Sequence, residues 1–244
     1  MIREVTALQG GKRVREYVAE ERELRLVVNG RTLAAVKLSP QYEEEFALGY
    51  CFGEGLIKDP KAIKKIRIEG DTAHIEADAA FDASYERYIS SDCLSGWRTR
   101  IEEEEITVSS GKKVAEGEIV KGMKELQRRS GAWKKTGGLH SVGLVNGGAM
   151  LVVEDISRHV ALDKAIGIAL RRGLDLGDSY ILTTGRLPGD MVVKAARAGI
   201  PIIASRTAPI HSGIVCALRT NVTIIGFARG RRMNIYTHPW RVLP

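Results

Sequence analysis

The sequence predicts an α/β (α+β) chain, with a mixed sheet covered by helices in its C-terminal part and a smaller β-rich part before it. Three observations predict this. From residue 137 onward, short apolar runs of strand length alternate with segments whose apolar residues recur at helical spacing; such alternation builds a sheet with helices packed on it. Before residue 80 the apolar runs come in pairs around tight-turn signals, interrupted by one helical segment. Finally, 44% of the 244 residues are apolar and 27% are charged, a balance that supports a sizeable core and argues against wholesale disorder.

In order along the chain, residues 24–28 and 33–38 flank Asn29-Gly30, whose two positions tolerate positive φ, and so form a hairpin. Ser39-Pro40 is expected to cap a helix carrying Glu43, Glu44 and Glu45 in its first turn, where the macrodipole favours acids. Phe46, Gly49 and Tyr50 share one face of that helix, and Gly53-Glu54-Gly55 ends it. Residues 63–69 and 73–77 form a second hairpin around Gly70-Asp71. Between 80 and 136 the pattern weakens. A strand at Tyr85–Ile89, a small-residue loop from Ser90 to Gly96, an acidic run from Glu102 to Glu105 and a polar helix over 117–129 are expected there. Ile119, Met123 and Leu126 lie on one side of that helix. A β-rich N-terminal domain is placed at 1–115, ending with the Cys93 loop, and an α/β domain at 116–244.

Strands at 141–145 and 149–153 surround Asn146-Gly147-Gly148. Ser157 is expected to cap a helix with an apolar stripe of Leu162, Ala165, Ile166, Ala169 and Leu170. A strand at 180–183, the turn Thr184-Gly185-Arg186, a helix at 189–198 and a strand at 202–204 follow. A helix near 210–219 and strands at 222–227 and 233–236 complete the chain, with no internal repeat.

The formal net charge is +7, and it is unevenly placed. Residues 179–244 hold nine cations, eight of them Arg, against Asp190 alone, a net of +8. The first 178 residues balance at −1. Arginine offers a planar fork suited to phosphate, so nucleic acid, an anionic small molecule and a solvated surface are the three readings. The segment has few aromatics and no helix-turn-helix or RNP-like pattern, which disfavours nucleic acid. No apolar run has the length of a membrane span, and the first residues lack the apolar block of a secretory signal. Cys51, Cys93 and Cys216 are widely separated, which excludes a disulfide framework or a Cys-rich zinc module and fits a reducing, cytoplasmic setting.

Four constellations can carry chemistry. Cys93 sits among Ser, Asp and Gly, exposed by composition, and is either an incidental loop thiol or a reactive one. Cys51 and Cys216 sit among apolar neighbours and read as core. Thr136-Gly137-Gly138-Leu139-His140 lets backbone approach another group closely, with His140 either structural or a donor to an anion. Glu154-Asp155-Ile156-Ser157-Arg158-His159 marks a strand-to-helix junction, where layered α/β folds bind ligands and where helix caps also fall. Phe227-Ala228-Arg229-Gly230-Arg231-Arg232 supplies Arg forks and backbone N–H groups for a pyrophosphate, to which Thr184-Gly185-Arg186 can add helix N-terminal amides. No Walker A or GxGxxG fingerprint is present.

These motifs, with Glu44 to Gly49, Glu54 to Ile57, Ala161-Leu162-Asp163-Lys164, Ala198 to Ile202 and Asn234 to Thr237, together resemble the FdhD family of formate dehydrogenase accessory sulfurtransferases. The resemblance implies a cytidine-deaminase-like C-terminal fold and a homodimer. It implies a persulfide on Cys93 and transfer of its sulfur from a cysteine desulfurase to the Mo or W bis(molybdopterin guanine dinucleotide) cofactor of formate dehydrogenase. The cofactor-binding stretch falls on Phe227 to Arg232; no resident metal, nucleic acid or membrane partner is implied. The chain departs from the family at one place: where Ser-Cys-x-x-Cys-Gly is usual, it reads Asp92-Cys93-Leu94-Ser95-Gly96-Trp97. One thiol remains, so no disulfide can form within this loop. A non-catalytic cofactor chaperone is therefore the alternative to a sulfurtransferase. Zinc-dependent deamination is disfavoured, because His140 is followed by Ser141-Val142 and no Pro-Cys-x-x-Cys pair exists.

Overall fold

The computed structural model describes residues 1–78, 106–230 and 232–244, together with the backbone of two short strands at 87–89 and 95–97. The chain opens with a hairpin of β1 (Ile2–Gln9) and β2 (Lys12–Ala19) that, among the described residues, pairs with no other sheet. Its charges lie on both faces, so it shows no apolar alternation and escapes a reading by period. Lys135 seats on the Tyr17 ring at 5.5 Å and ties β2 to the body.

β3 (Arg22–Val28), β4 (Arg31–Leu38), β5 (Ile63–Glu69) and β6 (Thr72–Ala77) form a four-stranded sheet in the order β4-β3-β6-β5. Period-2 alternation puts Leu24, Leu26 and Val28 on one face with Val36 and Ile75. Helix α1 (Glu43–Gly53) lays Phe46, Ala47, Tyr50 and Cys51 on that face. The expected cap at Ser39-Pro40 is corrected here. Helix α1 starts after Tyr42, which is left-handed at φ 55°, and has no side-chain cap. Ser39 is instead buried, donating its N–H to Asp155 and accepting from Lys164. Glu43, Glu44 and Glu45 do occupy the first turn, Glu43 paired with Arg22 and the other two with Arg171.

The backbone of β7 (Arg87–Ile89) and β8 (Ser95–Trp97) forms a short antiparallel pair, so strand begins at Ser95 where the sequence suggested loop. The expected acidic run and the rest of the small-residue loop lie outside the described residues.

The second layer contains β9 (Val114–Ala115), α2 (Glu116–Arg129), α3 (Gly131–Thr136), β10 (His140–Asn146), β11 (Ala149–Asp155), α4 (Arg158–Arg171), β12 (Ser179–Thr183), α5 (Gly189–Arg197), β13 (Ile202–Ser205), α6 (His211–Thr220), β14 (Thr223–Arg229), β15 (Arg232–Ile235) and β16 (Val242–Leu243). Six of the strands form one mixed sheet, β11-β10-β12-β13-β14-β15, in which β12, β13 and β14 run parallel. These central strands read as continuous apolar runs because both faces are covered. Val142, Ile181, Ile203 and Ile224 meet the residues of α4, α5 and α6, while Leu182, Ala204 and Ile225 meet Ile119, Met123 and Leu126 of α2. Residues 106–115 pack with this layer: Val108 enters its core, and β9 pairs with β16 at the far end of the chain.

Helix α4 joins the two layers. Of its predicted stripe, Leu162, Ala165, Ile166 and Ala169 are buried and Leu170 is half-buried, but Asp163 and Lys164 are buried too. Lys194 of α5 places Nζ 2.6 Å from Asp163 Oδ2 and 2.9 Å from Glu54 Oε1 at the end of α1.

Candidate functional site

Because β12, β13 and β14 are parallel, their carboxyl ends share one edge of the sheet. β10 runs antiparallel to β12, so its first residue, His140, lies at the same edge. The strand-end turns are stitched together. Ser141 N donates to Thr184 Oγ1 at 3.0 Å, Arg206 N to the Thr183 carbonyl at 2.9 Å, and Phe227 N to the Thr207 carbonyl at 2.9 Å. Ser205 Oγ donates to the Gly185 carbonyl and accepts from Thr207 N. Gly185 has to be glycine, since an added Cβ would lie 2.8 Å from Cβ of Arg158.

A cavity of about 500 Å³ opens at this edge, within the size range of small-molecule sites. Trp133 and residues 137–140 line it from α3 and the turn that follows; Thr184, Arg206, Thr207 and Arg229 line it from the strand ends. Gly137 is left-handed at φ 65°, which lets the chain turn from α3 into β10 at the cavity wall. Gln127 of α2, with its amide oxygen turned toward Arg206, accepts from the guanidinium at 2.5 Å and 3.3 Å and so orients it. Burial, then His159 and Arg186, hold the His140 imidazole below its ordinary range. His159 is itself buried, its Nε2 3.2 Å from Asp190 Oδ1, and burial again lowers its pKa despite that carboxylate. The Arg158 guanidinium is likewise lowered, by burial and by Arg186 beside it.

Cys93 and Arg231 lie outside the described residues. The remaining residues of the C-terminal cluster divide between separate places. Arg229 is exposed and lines the cavity; Ala228 is buried in the core under α2; Gly230, at φ 65°, makes the turn between β14 and β15. Arg232 stands opposite Arg229 in the ladder, its guanidinium 5.6 Å from the Phe227 ring centroid. The junction after β11 proves partly structural. Glu154 accepts from the N–H groups of Ala132 and Trp133, and Asp155 is fully buried beside Lys164, leaving Arg158 and His159 near the edge. Cys51 and Cys216 are buried, and burial pushes their thiols up to about 12 and about 11, which makes both inert. Among the described residues, no group of three or more His, Cys, Asp and Glu side chains is arranged to hold a metal ion.

Trp133, Arg206 and Thr207 were not singled out by sequence. A signal for Arg206 exists: Arg186, Arg206 and Arg229 each fall at or just after the end of one of three consecutive parallel strands, so an Arg stands near each strand end at the same edge. Trp133 carries no such mark.

Fold and site together define a mixed α/β protein with Arg206 and Arg229 beside a glycine-walled cavity at the carboxyl edge of its central sheet. The chain belongs to the FdhD/NarQ family, whose model matches residues 19–243. A sulfur carrier protein FdhD of Methanothermobacter thermautotrophicus is 41% identical over 233 residues, spanning 95% of this chain and 94% of its own. The protein of the same name in Bacillus subtilis is 30% identical over 253 residues, spanning 99% and 97%. A crystal structure from Desulfotalea psychrophila, described as a candidate formate dehydrogenase accessory protein, superposes with a TM-score of 0.82 at 29% identity over 100% of this chain and 99% of that one.

Proposed function

We propose that this protein is a sulfur carrier and sulfurtransferase for the maturation of formate dehydrogenase. Cys93 would take sulfane sulfur from a cysteine desulfurase: a bond forms between the Cys93 Sγ and the outer sulfur of the donor persulfide, and the donor thiolate leaves. That sulfur then passes to the Mo or W bis(molybdopterin guanine dinucleotide) cofactor, the acceptor supplying the electron pair while Cys93 departs as thiolate. The cofactor is cargo here, destined for the client enzyme. The observation that carries the reading is the cavity at the sheet edge, where Arg206 and Arg229 face a glycine-walled space of about 500 Å³. Two guanidinium forks beside exposed backbone suit a pyrophosphate, and the volume suits one nucleotide arm of the dinucleotide. Sulfur carriage itself is supported by the relatives named above.

A homodimer and a cytoplasmic setting complete the proposal. No helix among the described residues is long and apolar enough to cross a membrane, and the three scattered cysteines suit a reducing compartment. The single thiol in Asp92-Cys93-Leu94-Ser95-Gly96 favours one second reading, a cofactor chaperone without sulfur transfer. Intact-mass spectrometry after mixing with a cysteine desulfurase and L-cysteine separates them. The carrier gains one sulfur atom on wild type and none on Cys93→Ala. A chaperone gains none on either, and Cys93→Ala still matures formate dehydrogenase while Arg229→Ala fails.

A further inference from the structure

We infer that Trp133 is the ring-recognising wall of the sheet-edge cavity and that Glu154 is the residue that positions it. The inference rests on the reading of that cavity as a nucleotide-arm site and adds what selects the ring. The aromatic that sequence places in the arginine cluster, Phe227, is partly buried, lies beneath the Arg232 guanidinium and does not line the cavity. Trp133 does line it, half-buried, with Arg206 and Arg229 among the other walls. An indole among the walls of a space that also carries guanidinium forks matches a ligand that joins a heteroaromatic ring to phosphate, since every such ring offers a π-face for stacking.

The backbone that carries the indole is also held in place. Helix α3 is only six residues long, too short to persist unaided. Glu154, at the end of β11, accepts from Trp133 N at 2.7 Å and from Ala132 N at 3.1 Å. At the other end of α3, Gly137 N donates to the Trp133 carbonyl at 2.7 Å. The Trp133 backbone is therefore clamped from both sides, one clamp being a carboxylate on the sheet itself. A preorganised ring costs less order on binding than a mobile one.

The test is calorimetry with two probes, GDP and inorganic pyrophosphate, on the full chain. Wild type binds GDP more tightly than pyrophosphate, and GDP quenches part of the tryptophan fluorescence. Trp133→Leu weakens GDP about tenfold, or about 1.4 kcal/mol, leaves pyrophosphate within about twofold, and loses the quenching; Trp133→Phe restores most of the GDP affinity. Glu154→Ala reproduces the selective loss for GDP, and Glu154→Gln, which keeps one acceptor oxygen, falls between. GDP affinity unchanged in Trp133→Leu, or GDP bound by wild type no more tightly than pyrophosphate, overturns the inference while leaving the anion site standing. Binding of neither probe by wild type overturns the inference and the nucleotide-arm reading together.

Discussion

Lys164 of α4 places Nζ 2.6 Å from Asp155 Oδ2 and 2.8 Å from the Ser39 carbonyl, and the ion pair is fully buried. One carboxylate thus ends β11, receives the backbone N–H of Ser39 and of Ser157, and fastens the chain leaving the first sheet to the second layer. Burial acts against both charges, raising Asp155 and lowering Lys164, so geometry and shared hydrogen bonds keep the pair together.

Lys164→Met should therefore lower unfolding stability by about 3–5 kcal/mol, because it strands a buried carboxylate. The double variant Asp155→Leu/Lys164→Met should recover part of that loss. Urea denaturation of the single and double variants checks this; equal losses for both would show that the uncompensated charge is not the cause.

Helices α1 and α4 cross with backbone against backbone. A Cβ added at Gly167 would lie 1.9 Å from the Glu45 carbonyl oxygen, and one added at Gly49 would lie 1.9 Å from that of Asp163. No side chain can move to relieve either clash, so Gly167→Ala should cost about 3 kcal/mol or more. Gly117→Ala on α2, where an added Cβ meets nothing within 4 Å, is the control and should be neutral or slightly stabilising. Thermal melts of the two variants decide it.

Asp163 should give stability a recognisable pH dependence. Burial, together with Glu54 sharing Lys194, raises its carboxyl from 3.8 to about 6. Burial lowers Lys194, but Asp163 and Glu54 outweigh it and hold the ammonium above its ordinary value. Between 3.8 and about 6 the folded protein therefore binds a proton that the unfolded chain does not. The stabilisation is complete below 3.8 and is lost as pH rises through about 6. The stability of wild type minus that of Asp163→Asn should fall across this window and level off above it. A flat difference in denaturation series across the same range would contradict the assignment.

At the cavity, His140 should titrate below its ordinary 6.5, since burial, His159 and Arg186 all disfavour its charged form. It is then mainly neutral at pH 7 and able to accept as well as donate. Arg186→Ala removes one of the opposing charges and should move the midpoint upward. Imidazole proton shifts in an NMR titration report both values, and a midpoint that stays put in the variant would remove Arg186 from the account.

Much of the sheet edge was legible. Strand and helix periods placed β10 through β15 and the helices between them within a residue or two, because apolar spacing is a local property. Thr184-Gly185-Arg186, His140 and Arg229 were marked by glycine and arginine at strand ends, and all come to one edge. The β1–β2 hairpin was missed because charges on both its faces hide the alternation. The tie at Ser39 was missed because a Ser-Pro pair before a helical run looks like a cap whether or not its hydroxyl is used.

By itself, the sequence determined the order of strands and helices from β10 through β15, the confinement of excess positive charge to residues 179–244, and the presence of one thiol in the loop around residue 93. The tertiary structure alone decided which of those arginines share a cavity, that Trp133 joins them, and that Asp155, Asp163, Lys164 and Lys194 are spent on joining layers. The physical reason is separation along the chain. Ser39 and Lys164 are 125 residues apart, and their meeting depends on sheet order and helix crossing, which no local period encodes.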